Sequence, residues 1–231
     1  MQTQFDNVVR MDGAVAVEQT NKVLRNTYML LSVTLIFSAV MAGVSMAMAV
    51  PYGVSLITSL VALGLLWFVV PRTANSGAGI GVVFAVTGLL GFGLGPVLNH
   101  YLSLANGTEI VMLSLGITGA AFFGLSGYVL VSRKDFSFMR NFLAIGVLVA
   151  FIAGIVSLVA ALVGYPLPAL ALTVSAMFAF LMCGMILWQT SEIVNGGETN
   201  YVLATIGLYI SIYNLFTSLL HLLGAFMGER D

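Results

Sequence analysis

Ser211, Asn214, Ser218 and His221 fall at i, i+3, i+7 and i+10 of an otherwise apolar stretch, so on a helix they share one face. Hydroxyl, amide and imidazole in such a row could line a proton or ion path, with His221 the member able to titrate near neutral pH. The same stripe could instead hydrogen-bond a neighbouring helix, at about 1 kcal/mol or less per contact, and this plainer reading is adopted here. A second polar cluster, Gln189, Thr190, Ser191 and Glu192, closes the preceding apolar stretch. Gln189 is its deepest strongly polar group and cannot titrate. Glu192 could meet Arg72 or Arg140, a contact worth little when exposed.

No enzyme constellation accompanies these groups. Two histidines, His100 and His221, and the single Cys183 are too few for a His/Cys metal cage. No His-Glu-x-x-His motif occurs, and no base with an orienting partner stands beside any Ser or Thr. The aspartates are Asp6, Asp12, Asp135 and Asp231, all outside the apolar runs, which excludes an intramembrane pair of catalytic aspartates. Gly77-Ala78-Gly79-Ile80-Gly81 follows no strand and so is not a dinucleotide loop. No catalytic residue, metal ligand or cofactor is assigned, and a net charge of −1 gives no sign of a nucleic-acid partner.

The elements that must position the polar stripe are membrane helices. No charged residue lies between Arg25 and Arg72, Arg72 and Glu109, Glu109 and Arg133, Arg140 and Glu192, or Glu198 and Glu229. Only 7% of residues are charged against 60% hydrophobic, with a mean hydropathy of +1.06, too few charges to hydrate the surface of a soluble domain. A helix needs roughly 20 apolar residues to cross the hydrocarbon layer, which places spans at 27–50, 54–70, 76–98, 109–131, 138–162, 167–188 and 201–227. A β-barrel would alternate apolar and polar over about ten residues, whereas these runs are continuous. The expected fold is therefore all-α: a polytopic seven-transmembrane-helix bundle solvated by the lipid bilayer. A polar N-terminal tail (1–26), flexible to about Asn21, should precede it, and a short C-terminal tail (228–231) should follow.

Basic residues give the orientation. The N-terminal tail and the connections on its side hold Arg10, Lys22, Arg25, Arg72, Arg133, Lys134 and Arg140, while the other side holds Arg230. Seven against one places the N-terminus in the cytoplasm and the C-terminus outside. Arg72, Arg133, Lys134, Arg140, Glu192 and Glu198 are then charges of the cytoplasmic face. In the third run Gly88, Gly91 and Gly95 share a helical face and should form a groove for a neighbouring backbone. Pro96 should kink or end that helix.

Several segments together resemble the Bax-inhibitor (TMBIM) family, in particular its bacterial YccA-like branch. They are Lys22-Val23-Leu24-Arg25-Asn26-Thr27-Tyr28, Gly95-Pro96 with Leu98-Asn99, Ser132-Arg133-Lys134-Asp135-Phe136-Ser137-Phe138, and Gly196-Gly197-Glu198-Thr199-Asn200-Tyr201 continuing through Leu208-Tyr209-Ile210-Ser211-Ile212-Tyr213-Asn214. The resemblance implies a seven-helix protein of the bacterial inner membrane that binds and modulates the membrane-anchored AAA+ zinc protease FtsH and is its slow substrate. The alternative it implies is a pH-sensitive calcium leak channel gated by two aspartates, with calcium ion or proton as the species handled. Matching the motifs puts Gln189 and Ser211 at those two positions, so both carboxylates are replaced by neutral groups. A proton-broken carboxylate pair and a hard-cation oxygen site thereby lose their basis.

Overall fold

A computed structural model of the chain describes the backbone over residues 2–228 and side chains over residues 18–228. Seven helices are long and apolar enough to cross a membrane. They are α1 (Gln2–Ala47), α2 (Tyr52–Thr73), α3 (Ala78–Leu102), α4 (Gly107–Ser132), α5 (Ser137–Leu162, its first turn 3₁₀), α6 (Pro168–Val194) and α7 (Tyr201–Met227). No strand occurs among the described residues.

The helix ends differ from the apolar runs where local chemistry allows the backbone to continue. The backbone is already helical from Gln2, because residues 2–26 contain no proline and a single glycine to break it. The side chains expected in the N-terminal tail before Glu18, Arg10 included, lie outside the described residues, as do Arg230 and the C-terminal tail beyond Gly228. In α2 a wide π turn at Leu65–Val69 precedes Pro71 and gives its ring room beside the preceding turn. Pro96 does not end α3, which runs six residues further to Leu102. Proline inside a membrane helix is tolerated where neighbours satisfy the loosened backbone, and Ser55 of α2 donates to the Gly93 carbonyl in that turn.

Packing is organised around two helices. Over their most apolar windows, α7 is 61% and α3 56% buried, against 11% for α5. Helix α7 touches α1, α3, α4 and α6, whereas α2 packs mainly on α3 and α5 mainly on α6. The glycine face of α3 receives α1. A Cβ at Gly91 would overlap the Ser38 carbonyl, and one at Gly95 would meet the Ser45 side chain, so only glycine permits this approach. Where α1, α3 and α7 converge, the Tyr209 hydroxyl lies 2.6 Å from Ser38 Oγ and donates to the Thr87 carbonyl at 3.2 Å.

The two ends of the bundle are tied differently. At the far end Asn99 donates to the Met46 carbonyl and Asn106 to that of Met227. At the basic end the α2–α3, α4–α5 and α6–α7 connections meet. Asn200 caps α7 by accepting from the Val202 and Leu203 N–H groups, and its amide donates to the Ala74 carbonyl at 3.1 Å and Asn75 Oδ1 at 2.8 Å.

Candidate functional site

The last turns of α6 direct consecutive polar residues to different neighbours, because successive side chains on a helix are about 100° apart. Gln189 faces α7, where Ser211 Oγ donates to Gln189 Oε1 at 3.0 Å and also lies 3.2 Å from the Gly207 carbonyl. The absence of a side chain at Gly207 leaves room for the amide, since a Cβ there would sit 3.2 Å from Gln189 Nε2. Thr190 faces α4, with its hydroxyl 3.2 Å from Ser126 Oγ. Ser191 faces the α4–α5 loop, accepting from the Phe136 N–H at 2.9 Å and donating to the Lys134 carbonyl at 3.2 Å. Glu192 turns back along its own helix and accepts from the Trp188 indole at 3.1 Å.

The stripe on α7 meets α6 at both ends. Ser211 and Ser218 are buried, Asn214 and His221 half-buried. His221 Nδ1 lies 2.7 Å from Ser175 Oγ on α6. The Ser175 hydroxyl donates its single proton to the Ala171 carbonyl at 3.1 Å, which makes His221 Nδ1 the donor of the pair. Asn214 bonds the Ile210 carbonyl of its own helix at 2.8 Å. Ser211 and His221, ten residues apart, are separated by about 15 Å of helix rise. The geometry is that of two interhelical fasteners with a locally satisfied amide between them.

The six charges of the basic end are not paired as expected. Arg72 donates to the Phe68 carbonyl of its own helix. The Arg140 guanidinium stacks over the Trp188 ring, 5.9 Å from its centroid. Glu192 therefore meets neither arginine through its bonded oxygen, because Trp188, four residues earlier on the same face, offers a nearer donor. Lys134 Nζ lies 5.7 Å from the Tyr128 ring centre, and hydrogen bonding to Tyr128 holds its ammonium above the ordinary lysine range. Arg133 ends α4 in the left-handed region at φ 50°. Glu198 accepts from the Asn200 N–H at 2.7 Å. Asp135 accepts from the Ser137 N–H and hydroxyl, which holds its carboxyl below the ordinary aspartate range.

Gln189, Glu192, Glu198, Arg140, Trp188 and Gly207 line a cleft of about 270 Å³ open at the basic end. The Gln189–Ser211 contact thus stands at the inner wall of a polar entrance, and its own oxygens are neutral. Among the described residues no three His, Cys, Asp or Glu side chains gather as a metal site. Sequence reasoning missed three members of this region: Asn200 as cap and tie, Ser191 as anchor of the α4–α5 loop, and Trp188 as the link between Arg140 and Glu192. A cap residue just before a long apolar run was a usable signal for Asn200; the other two depend on which helices become neighbours.

Comparison with known proteins agrees with this architecture. A family model described as "Inhibitor of apoptosis-promoting Bax1" matches residues 20–228. A membrane protein of Vibrio cholerae, otherwise uncharacterized, is 47% identical over 213 residues, 92% of this chain and 93% of that protein. "Modulator of FtsH protease YccA" of Escherichia coli K12 is 47% identical over 212 residues, again 92% and 93% of the two chains. An uncharacterized protein of Pseudomonas aeruginosa is 44% identical over 221 residues, 95% of this chain and 97% of its own. With the family model spanning all seven helices and relatives this similar over nearly their whole length, the chain is a multi-pass membrane protein that belongs to the Bax-inhibitor family.

Proposed function

We propose that this chain is a non-enzymatic protein of the bacterial inner membrane that binds the membrane AAA+ protease FtsH, restrains its activity and is itself a slow substrate. The observation that carries the reading is the similarity, over 92% of this chain, to a protein named as a modulator of that protease. The packing supports it. Helices α3 and α7 are enclosed by the others, and Ser38, Thr87 and Tyr209 tie α1 to both. A protease pulling from one end would meet a bundle that resists piecemeal extraction and would be occupied while it worked. The segment before Glu18, on the side rich in Lys and Arg, is the handle in this reading, with the N-terminus in the cytoplasm and the C-terminus in the periplasm.

The test is the half-life of the full chain and of a chain lacking residues 2–17, in cells with and without the protease. The reading expects the full chain to be degraded only where the protease is present and the shortened chain to persist. Equal turnover of both would remove the handle. Turnover independent of the protease would remove the proposal. The leak-channel alternative gains no comparable support, since the Gln189–Ser211 contact offers no carboxylate to a proton or a calcium ion.

A further inference from the structure

A cavity of about 710 Å³ opens at the basic end between the first turns of the described part of α1, the end of α4 and the α6–α7 loop. Lys22 and Arg133 line it from opposite sides, with Val23, Leu130 and Tyr201 contributing apolar surface. Both cations stand at the boundary between water and hydrocarbon. Lys22 lies three residues before Arg25, after which the chain is free of charge to Arg72, and Arg133 follows directly on the charge-free run of α4. Leu130, three residues before Arg133 and so about 4.5 Å deeper along the helix, is 36% exposed on the apolar side. Deeper still, the Tyr28 and Phe122 rings close the seam at 6.0 Å between centroids. Glu198 also lines the cavity, but its carboxylate is engaged by the Asn200 N–H.

A site with cations at headgroup depth and an apolar seam beneath them fits an amphiphile bearing negative charge. A soluble anion would leave the seam unfilled, and an uncharged lipid would leave the cations unmatched. Basic pockets between membrane helices are the usual place where anionic headgroups are held. We propose that this cavity binds one anionic phospholipid, its phosphate between Lys22 and Arg133 and an acyl chain alongside Leu130 and Val23. The other cations of this face are differently placed: Lys134 lies over Tyr128 and Arg140 over Trp188, which makes them controls for charge alone.

The experiment uses the full chain purified in a neutral detergent. Dioleoylphosphatidylglycerol, dioleoylphosphatidylcholine and inorganic phosphate are added separately, with lipid retention read by native mass spectrometry and the melting midpoint recorded in parallel. The expected result is one retained phosphatidylglycerol, a raised midpoint, and little effect of phosphatidylcholine or phosphate. Lys22→Gln with Arg133→Gln should weaken retention roughly thirtyfold, from the attraction of two cations near a charged headgroup. Lys134→Gln with Arg140→Gln should leave it unchanged. Should the first double variant fail to fold, Leu130→Trp keeps both cations while filling the seam and should also lower retention. Equal retention of the two lipids, equal loss in both double variants, or a response to inorganic phosphate alone would overturn the proposal. So would a wild-type chain that retains no lipid.

Discussion

Ser211 of α7 donates a hydrogen bond to Gln189 of α6 at 3.0 Å, joining the two positions that the family resemblance aligns with a pair of aspartates. The contact explains how the bundle does without those carboxylates: an amide oxygen and a hydroxyl make the same helix-to-helix connection with no charge to neutralise. Ser211→Ala should lower stability by about 0.6 kcal/mol and at most about 1.7, the range for interhelical bonds in membranes. Replacing both residues by aspartate should make unfolding in detergent depend on pH, since two carboxylates this close cannot both ionise cheaply. The double variant should be weaker at pH 8 than at pH 5, and the parent unchanged between them. A flat profile for the variant would show that the two side chains are not in contact.

Close approach of α1 to α3 rests on glycine. Gly91→Ala places a methyl group against the Ser38 backbone and should cost about 1–3 kcal/mol as overpacking. Gly116 on α4 has nothing within 4 Å of a built Cβ, so Gly116→Ala is the control and should be neutral. Thermal unfolding of both variants in the same detergent checks the difference.

Asn200 has two separable roles. Asn200→Ala loses the cap on α7 and the tie to Ala74 and Asn75, and should cost about 1–2 kcal/mol. Asn200→Asp keeps an oxygen for the Val202 and Leu203 N–H groups while losing the donor, so it should fall between the parent and the alanine variant. Amide exchange at the start of α7 distinguishes them: fast in Ala, protected in Asp.

Acid should loosen the α4–α5 loop. The Asp135 carboxyl is held below its ordinary value by Ser137, so its contribution is present above the unfolded aspartate pKa of about 4 and is lost as pH falls through the lower folded value. The Ser137 amide should exchange progressively faster below that point, relative to neighbours corrected for intrinsic rate, and Asp135→Asn should abolish this extra dependence.

The membrane helices were legible because charge is excluded from lipid and the charge-free runs mark where each helix sits. The helical face shared by Ser211, Asn214, Ser218 and His221 was legible from spacing alone, as was the groove at Gly91 and Gly95. What the stripe touches was not, because sequence does not say that α6 lies opposite it with Gln189 and Ser175 in register. Pro96 misled for a related reason: a proline ends a helix in water, but here Ser55 from another helix bonds the Gly93 carbonyl. Glu192 misled because the attraction of opposite charges was weighed against distance in sequence, while Trp188 stood one turn away.

The central claim, restraint of the protease, is tested most directly with purified components. FtsH reconstituted in liposomes degrades a soluble reporter, and the rate is measured with this chain co-reconstituted or with an unrelated seven-helix protein in its place. The account predicts slower reporter degradation only with this chain, relieved by removal of residues 2–17. An unchanged rate with the full chain present at excess over the protease would contradict it.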